Sequence, residues 1–248
     1  MASRVDLPEP EAPTTATASP RVISRSMSRR ITRSESPLLT VLPMPRAVRT
    51  LSLFIALLVS LGVLAAEKSI LVFGDSISSA YGMAQGRGWV ALLGERLKRE
   101  RPDYSVVNAS VSGDTTSAGL ARIGGALERH KPAVVVVQLG GNDGLRGLPV
   151  AEMKKNLAAI VERSRKAGAR VLLVGVRMPP NYGPQYTQEF ASAFDELAKR
   201  YQAPLVPSLM EGFGENLALF QPDRIHPTEA AQPLMAERVW KTLQPLLK

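Results

Sequence analysis

Ser69-Ile70-Leu71-Val72-Phe73-Gly74-Asp75-Ser76-Ile77-Ser78 is an apolar run that stops abruptly at a glycine, an acid and two serines. An unbroken apolar run of this length, closed by a turn signal, reads as a strand buried on both faces of a parallel sheet. Gly74 lets the backbone turn sharply at the strand's carboxyl end, which puts Ser76 at the tip. Ligands of open parallel sheets sit outside the carboxyl ends of the strands, so the Ser76 hydroxyl stands where chemistry commonly occurs. A Ser/Asp turn or a helix cap is the other reading of the same residues. The choice between them rests on residues far downstream.

Working outward, a Gly-rich loop from Gly82 to Gly88 follows, then Trp89–Arg99, whose Trp89, Leu93 and Leu97 recur every four residues as one helix face. Tyr104–Ala109 reads as a second strand and Ser110–Thr116 as the loop at its end. A helix through Leu120 and Leu127 ends near His130, and Ala133–Leu139 is the most strand-like run in the chain, closed by Gly140-Gly141-Asn142-Asp143. Met153, Leu157, Ile160 and Val161 mark the next helix, stopped by Gly168. Arg170–Val176 is a fourth strand, followed by a Pro/Tyr/Gly loop over 178–184. Phe190, Phe194, Leu197 and Tyr201 stripe another helix, Leu205-Val206 is a short fifth strand, and one last helix spans about Thr228 to Leu246. Strands alternating with helices at this spacing predict a single α/β domain over 67–248, with a parallel sheet covered on both faces. The loops after strands one, two and three then converge on one edge, carrying Ser76, Gly113 and Asn142.

The amino-terminal quarter has a different character. Residues 1–43 are rich in Ser, Thr, Pro and Arg without a sustained apolar period, a composition that cannot bury enough surface to offset ordering entropy. They read as a disordered extension, or as sequence upstream of a true start at Met44. From Met44, Arg46 and Arg49 precede the uncharged Leu51–Ala66 stretch, which ends in small residues. That is the layout of a secretory signal peptide, cleaved near Ala65 or Ala66, and it predicts a periplasmic or secreted protein. An uncleaved anchor is the alternative, although 16 residues are short for a span of about 20.

Composition narrows the chemistry. The chain has no cysteine, which excludes disulfides, thiolate nucleophiles and cysteine zinc sites. Of its net charge of +9, +4 belongs to residues 1–66, where eight arginines face four carboxylates, and +5 to the rest. Those remaining basic residues are scattered, and aromatics make up 5%, so neither a nucleic-acid stripe nor a base-stacking surface is indicated. Only two histidines are available. His130 sits at a predicted helix carboxyl end beside Lys131, a setting explained by the helix dipole. His226 lies in Asp223-Arg224-Ile225-His226, whose spacing lets both side chains emerge on one side of a turn.

A serine hydroxyl is a poor nucleophile until a base takes its proton, and the base works best when a carboxylate fixes its tautomer. Ser76, His226 and Asp223 supply those three parts. Acyl transfer also needs donors aimed at the developing oxyanion. The Ser76 and Gly113 backbone N–H groups and the Asn142 amide are the candidates. Each is individually an ordinary turn residue, and their joint occurrence is the signal.

Gly74-Asp-Ser-Ile-Ser78, Gly113 after strand two, Gly140-Gly-Asn-Asp143 after strand three, and Asp223-x-x-His226 resemble, in this order, the blocks of the SGNH (GDSL) hydrolases. The likeness extends over about residues 68–246 and includes Val107–Asp114, Leu139–Gly147 and Pro180–Gly183. Ile77 departs from the leucine of the family's first motif, and residues 1–43 have no counterpart. The resemblance implies a flavodoxin-like three-layer α/β/α sandwich of about five parallel strands ordered 2-1-3-4-5. It implies Ser76 as nucleophile, His226 as base, Asp223 as its orienter, and Ser76, Gly113 and Asn142 as the oxyanion hole, with no metal or organic cofactor. It also implies hydrolysis of acyl esters and thioesters, of esterase, arylesterase, lysophospholipase or acyl-CoA thioesterase type, on small-molecule substrates with transient contact to membrane lipid. An O-acetyl deacetylase of carbohydrate or cell wall, or a non-catalytic binding module on the same fold, are the competing readings. Leu145, Leu148, Met178 and Tyr182 follow the strand ends on Gly/Pro-rich backbone and are candidates to line an acyl groove, or simply to pack the loops.

Overall fold

Five parallel strands in the order β2-β1-β3-β4-β5 form the centre of the computed structural model, which describes residues 67–248. Residues 1–66, to which the expected leader and extension belong, lie outside the described residues. The strands are β1 (Lys68–Gly74), β2 (Tyr104–Asn108), β3 (Val134–Gln138), β4 (Arg170–Val174) and β5 (Leu205–Val206). Between them run α1 (Trp89–Glu100), α2 (Thr116–His130), a short α3 (Gly141–Leu145), α4 (Val150–Lys166) and α5 (Pro184–Tyr201), and α6 (Gln232–Leu243) closes the chain. The expected three-layer sandwich and strand order are those observed.

Alternation along β1 builds both faces at once. Ile70 and Val72 point to one side, where Trp89, Leu93 and Leu97 of α1 and Met235, Val239 and Leu243 of α6 pack on them. Leu71 and Phe73 point to the other, against Ile123 of α2, Leu157 and Ile160 of α4 and Phe190 and Phe194 of α5. All four strand residues are fully buried. Burying each side chain of this size stabilises by about 1.5–3 kcal/mol, so the central strand is a rigid support for the loop it ends in. Register carries this rigidity across the sheet: Gly74 pairs with Gln138, and Val72 with Asn108, so the tips of β1, β2 and β3 lie side by side.

Three elements differ from the sequence reading by more than a single residue at an end. The fourth strand stops at Val174, two residues early. The Gly-Gly-Asn-Asp turn continues as α3, although two of its five residues are glycine. It is held from outside, because the buried Asp143 carboxylate accepts from Thr116 N at 2.8 Å and Thr116 Oγ1 at 2.5 Å. The last helix is not continuous either: 3-10 turns at Glu229–Ala231 and Gln244–Leu246 bracket α6. Pro233 and Pro245 lack the N–H that an α-helix needs and divide the segment.

Candidate active site

The His-bearing loop is built before it meets the serine. Asp223 Oδ1 accepts from Ile225 N at 2.9 Å and His226 N at 3.0 Å, a turn in which the carboxylate stands in for backbone. Arg224 takes φ 59° inside that turn. Gln221 N donates to His226 O at 2.8 Å, and Gln221 Nε2 reaches Tyr81 O at 2.9 Å, linking this loop to the one after β1. From below, the buried Gln232 accepts from Trp89 N at 3.0 Å and donates to Thr228 O at 3.2 Å. Two glutamine side chains thus hold the loop against the first helix and the Ser76 loop.

The loop presents His226 between Asp223 and Ser76. His226 Nδ1 lies 2.7 Å from Asp223 Oδ2, and Nε2 lies 2.8 Å from Ser76 Oγ. Burial opposes the Asp223 charge, but hydrogen bonds from His226 N, His226 Nδ1 and Ile225 N outweigh it and hold the carboxyl down at about 2. An ionised Asp223 can only accept, so Nδ1 carries the proton and Nε2 of the neutral ring is free to accept from the Ser76 hydroxyl. The Tyr81 ring covers the imidazole, centroids 4.7 Å apart, and helps fix its plane.

The oxyanion candidates meet at the tips of β1, β2 and β3. Val111 N donates to Gly74 O at 3.0 Å and Ser79 Oγ lies 2.8 Å from Ser112 Oγ, so the loop after β2 rests on the Ser76 loop. Gly113 has φ 85°, a conformation costly for a residue with a β-carbon. Asn142 Nδ2 spends one N–H on Asp114 O at 2.9 Å and keeps the other. Neither Ser76 N nor Gly113 N donates to any protein acceptor among the described residues. Free backbone donors beside a serine hydroxyl are what a tetrahedral intermediate requires.

Beneath Ser76 lies a polar network that the sequence reading missed. Asp75 is buried, and its Oδ1 accepts from Ile77 N at 3.0 Å and Gln138 Nε2 at 3.1 Å, while Ser78 Oγ donates to Gln138 Oε1 at 2.5 Å. Burial pushes the Asp75 carboxyl up to about 6, against these hydrogen bonds and the nearby His226, with Asp114 adding to the rise. A β-carbon at Gly74 would stand 2.8 Å from both Gln138 Oε1 and Ser78 Oγ, so glycine leaves room for the network. The signal available was Gln138, a lone amide at the end of four valines.

Of the groove candidates, Leu145 and Leu148 are exposed, at 38% and 37%. The part-buried Tyr182 donates its hydroxyl to Leu145 O at 3.3 Å. Met178 is buried, and a β-carbon at Gly144 would collide with its sulfur, so it supports the loop from within the core. Depressions of about 610 Å³ between α4 and α5, and about 470 Å³ beside Tyr182 and Tyr186, contain none of the triad candidates. Among the described residues no cluster of His, Asp and Glu could hold a metal ion, and no helix is long and apolar enough to cross a membrane.

The three-layer fold and the Asp223–His226–Ser76 arrangement are what an acyl-ester hydrolase of the serine type needs. Residues 72–233 match the model of the GDSL-like Lipase/Acylhydrolase family, and the chain belongs to that family. Esterase TesA of Pseudomonas aeruginosa is 51% identical over 183 residues, 74% of this chain and 91% of that protein. Thioesterase 1/protease 1/lysophospholipase L1 of Escherichia coli K12 is 42% identical over 183 residues, 74% of this chain and 86% of that protein. Among solved structures, TesA superposes with a TM-score of 0.71 at 50% identity, covering 73% of this chain and all of that one. The psychrotrophic esterase EstA from Pseudoalteromonas sp., in a structure inhibited by monoethylphosphonate, gives 0.69 at 39% identity, covering 73% of this chain and 98% of that one.

Proposed function

We propose that the chain hydrolyses acyl esters and thioesters through an acyl-enzyme on Ser76. The observation that carries this is the relay Asp223–His226–Ser76, at 2.7 and 2.8 Å, ending at a serine whose own backbone N–H, like that of Gly113 on the adjoining loop, is unspent among the described residues. His226 Nε2 takes the Ser76 proton as Oγ attacks the acyl carbon, and Asp223 stabilises the imidazolium that forms. Ser76 N, Gly113 N and Asn142 Nδ2 receive the negative oxygen. Collapse expels the alcohol or thiol, which leaves with the proton from His226. Water then enters, gives its proton to His226, attacks the acyl carbon and releases the acid, returning the proton to Oγ.

The exposed Leu145 and Leu148, with Tyr182 behind them, support an acyl groove. Each methylene buried there contributes up to about 0.8 kcal/mol, nearly fourfold in kcat/KM, until the groove is filled. The names of the relatives, esterase and thioesterase 1/lysophospholipase L1, support the same substrate class and transient contact with lipid. The Met44–Ala66 leader supports a periplasmic or secreted domain over 67–248, with 1–43 an extension or upstream sequence. Export would make acyl-CoA hydrolysis a capability of the site rather than its role.

Turnover of p-nitrophenyl esters by Ser76→Ala, His226→Ala and the double variant tests the mechanism. Base and nucleophile act as a unit, so the single variants lose similar activity and the double loses little more. Strictly multiplicative losses contradict a shared mechanism. With the wild-type chain, rates rise from acetyl to medium-chain esters, whereas a maximum at acetyl rejects the groove in favour of deacetylation.

A further inference from the structure

Arg122 lies nearly two turns into α2, outside the loops that carry Ser76, Gly113 and Asn142, yet its guanidinium touches the support of all three. Nη2 donates to Gly74 O at 3.2 Å, two residues before the nucleophile. Nη1 donates to Ala109 O at 2.6 Å, where β2 gives way to the Gly113 loop. Nε pairs at 2.5 Å with Asp114 Oδ2, on the residue that follows Gly113 and whose carbonyl accepts from Asn142 Nδ2. The flat face stacks on Phe73, 3.8 Å from the ring centroid. Arginine and carboxylate side chains are 27% and 13% exposed, which places this pair away from full solvent screening.

From this geometry we infer that Arg122 is the positioning residue of the oxyanion hole, one rigid fork that sets the Ser76, Gly113 and Asn142 donors relative to one another. The inference rests on the oxyanion role proposed above for those donors. The Gly113 loop has no regular structure of its own, and Gly113 contributes no side chain to stiffen it. Its other ties to neighbouring segments are Ala109 N to Val72 O, Val111 N to Gly74 O, the Ser79–Ser112 contact, Asn142 Nδ2 to Asp114 O and Arg146 Nη2 to Gly113 O, the last made by an exposed side chain. Only a planar cation with donors in several in-plane directions can bond two carbonyls and a carboxylate while stacking on a ring. A lysine ammonium keeps the charge but not the fork. Oxyanion donors work at 2.7–3.1 Å from the charge, and a misplacement of about 1 Å costs on the order of 10²-fold in rate. The ground-state ester makes lesser demands on those donors, so the effect falls on turnover.

Arg122→Lys and Arg122→Met in the full chain, assayed on p-nitrophenyl butyrate, test this. The expected result is a loss of roughly 10–100-fold in kcat with KM within about twofold, lysine losing less than methionine. Affinity for a trifluoromethyl ketone, which forms the tetrahedral adduct, falls in proportion to kcat/KM. A folded Arg122→Met variant that keeps kcat within threefold, a loss confined to KM, or a ketone affinity that does not follow the rate overturns the inference. Should both Arg122 variants fail to fold, Asp114→Asn decides: of the three Arg122 bonds it weakens only the one at the Gly113 loop, and assays above pH 7.5, where Asp75 is ionised in either chain, set aside the effect of the Asp114 charge on that carboxyl. A smaller loss in kcat and ketone affinity together supports the inference, and unchanged values overturn it. The triad reading fails separately, by turnover persisting in Ser76→Ala.

Discussion

Asp75 gives the structure a pH signature that can be calculated. Its carboxyl titrates at about 6 in the fold, against 3.8 when unperturbed, because burial disfavours its charge more than Ile77 N, Gln138 Nε2 and His226 favour it. Between those values the folded chain holds a proton that the unfolded chain releases. Raising the pH therefore draws the equilibrium towards unfolding. The stability this group confers is complete below 3.8 and is lost as pH rises through 6. Two pH units and a little more at 1.36 kcal/mol each amount to about 3 kcal/mol. The side chain is 2% exposed, so solvent screening discounts this little. Asp75→Asn keeps an oxygen to accept from Ile77 and Gln138 but cannot ionise. Its added amide changes stability by a constant, so the pH dependence isolates the charge. Urea denaturation of both chains at pH 4.5, 6 and 7.5 should show the variant gaining about 2 kcal/mol relative to wild type from the lowest pH to the highest, the first ~1 kcal/mol having gone by pH 4.5. Parallel curves across that range would refute the burial argument.

Other substitutions probe the loops. Arg224 holds φ 59° with an exposed side chain, and Arg224→Gly removes the cost of that conformation, so chemical denaturation should show a gain of about 0.5–1 kcal/mol; a loss would mean the arginine has a partner that outweighs it. Asn142→Ala removes one oxyanion donor and should lower kcat about 10²–10³-fold, or about 3–4 kcal/mol, whereas an effect on KM alone would assign the amide to substrate placement. Mass spectrometry of the exported protein should find an amino terminus at Ala66 or Glu67, and a mature chain retaining Leu51–Leu64 would contradict cleavage.

The sheet and the helix faces were legible because burial leaves a period in the sequence. The unbroken Ile70–Phe73 and Val134–Val137 runs announced two-sided strands, and Trp89, Leu93 and Leu97 fell on the one buried face of α1. The candidate site was legible in part, since Gly74-Asp-Ser76 and Asp223-x-x-His226 are local patterns. What holds it together was not. Arg122, Gln138, Gln221 and Gln232 are single polar side chains whose partners lie up to 143 residues away, and a lone long-range hydrogen bond leaves no periodic trace. The same reason hid α3, whose helical form depends on Asp143 bonding to Thr116 against the preference of its own glycines.

The most direct test of the account is to trap the covalent intermediate. Acid-quenching the reaction of the full chain with a p-nitrophenyl ester and mapping its peptides should find the acyl group on Ser76, with no such adduct in His226→Ala under the same exposure. An acyl group on another residue, or undiminished turnover by Ser76→Ala, would contradict the account.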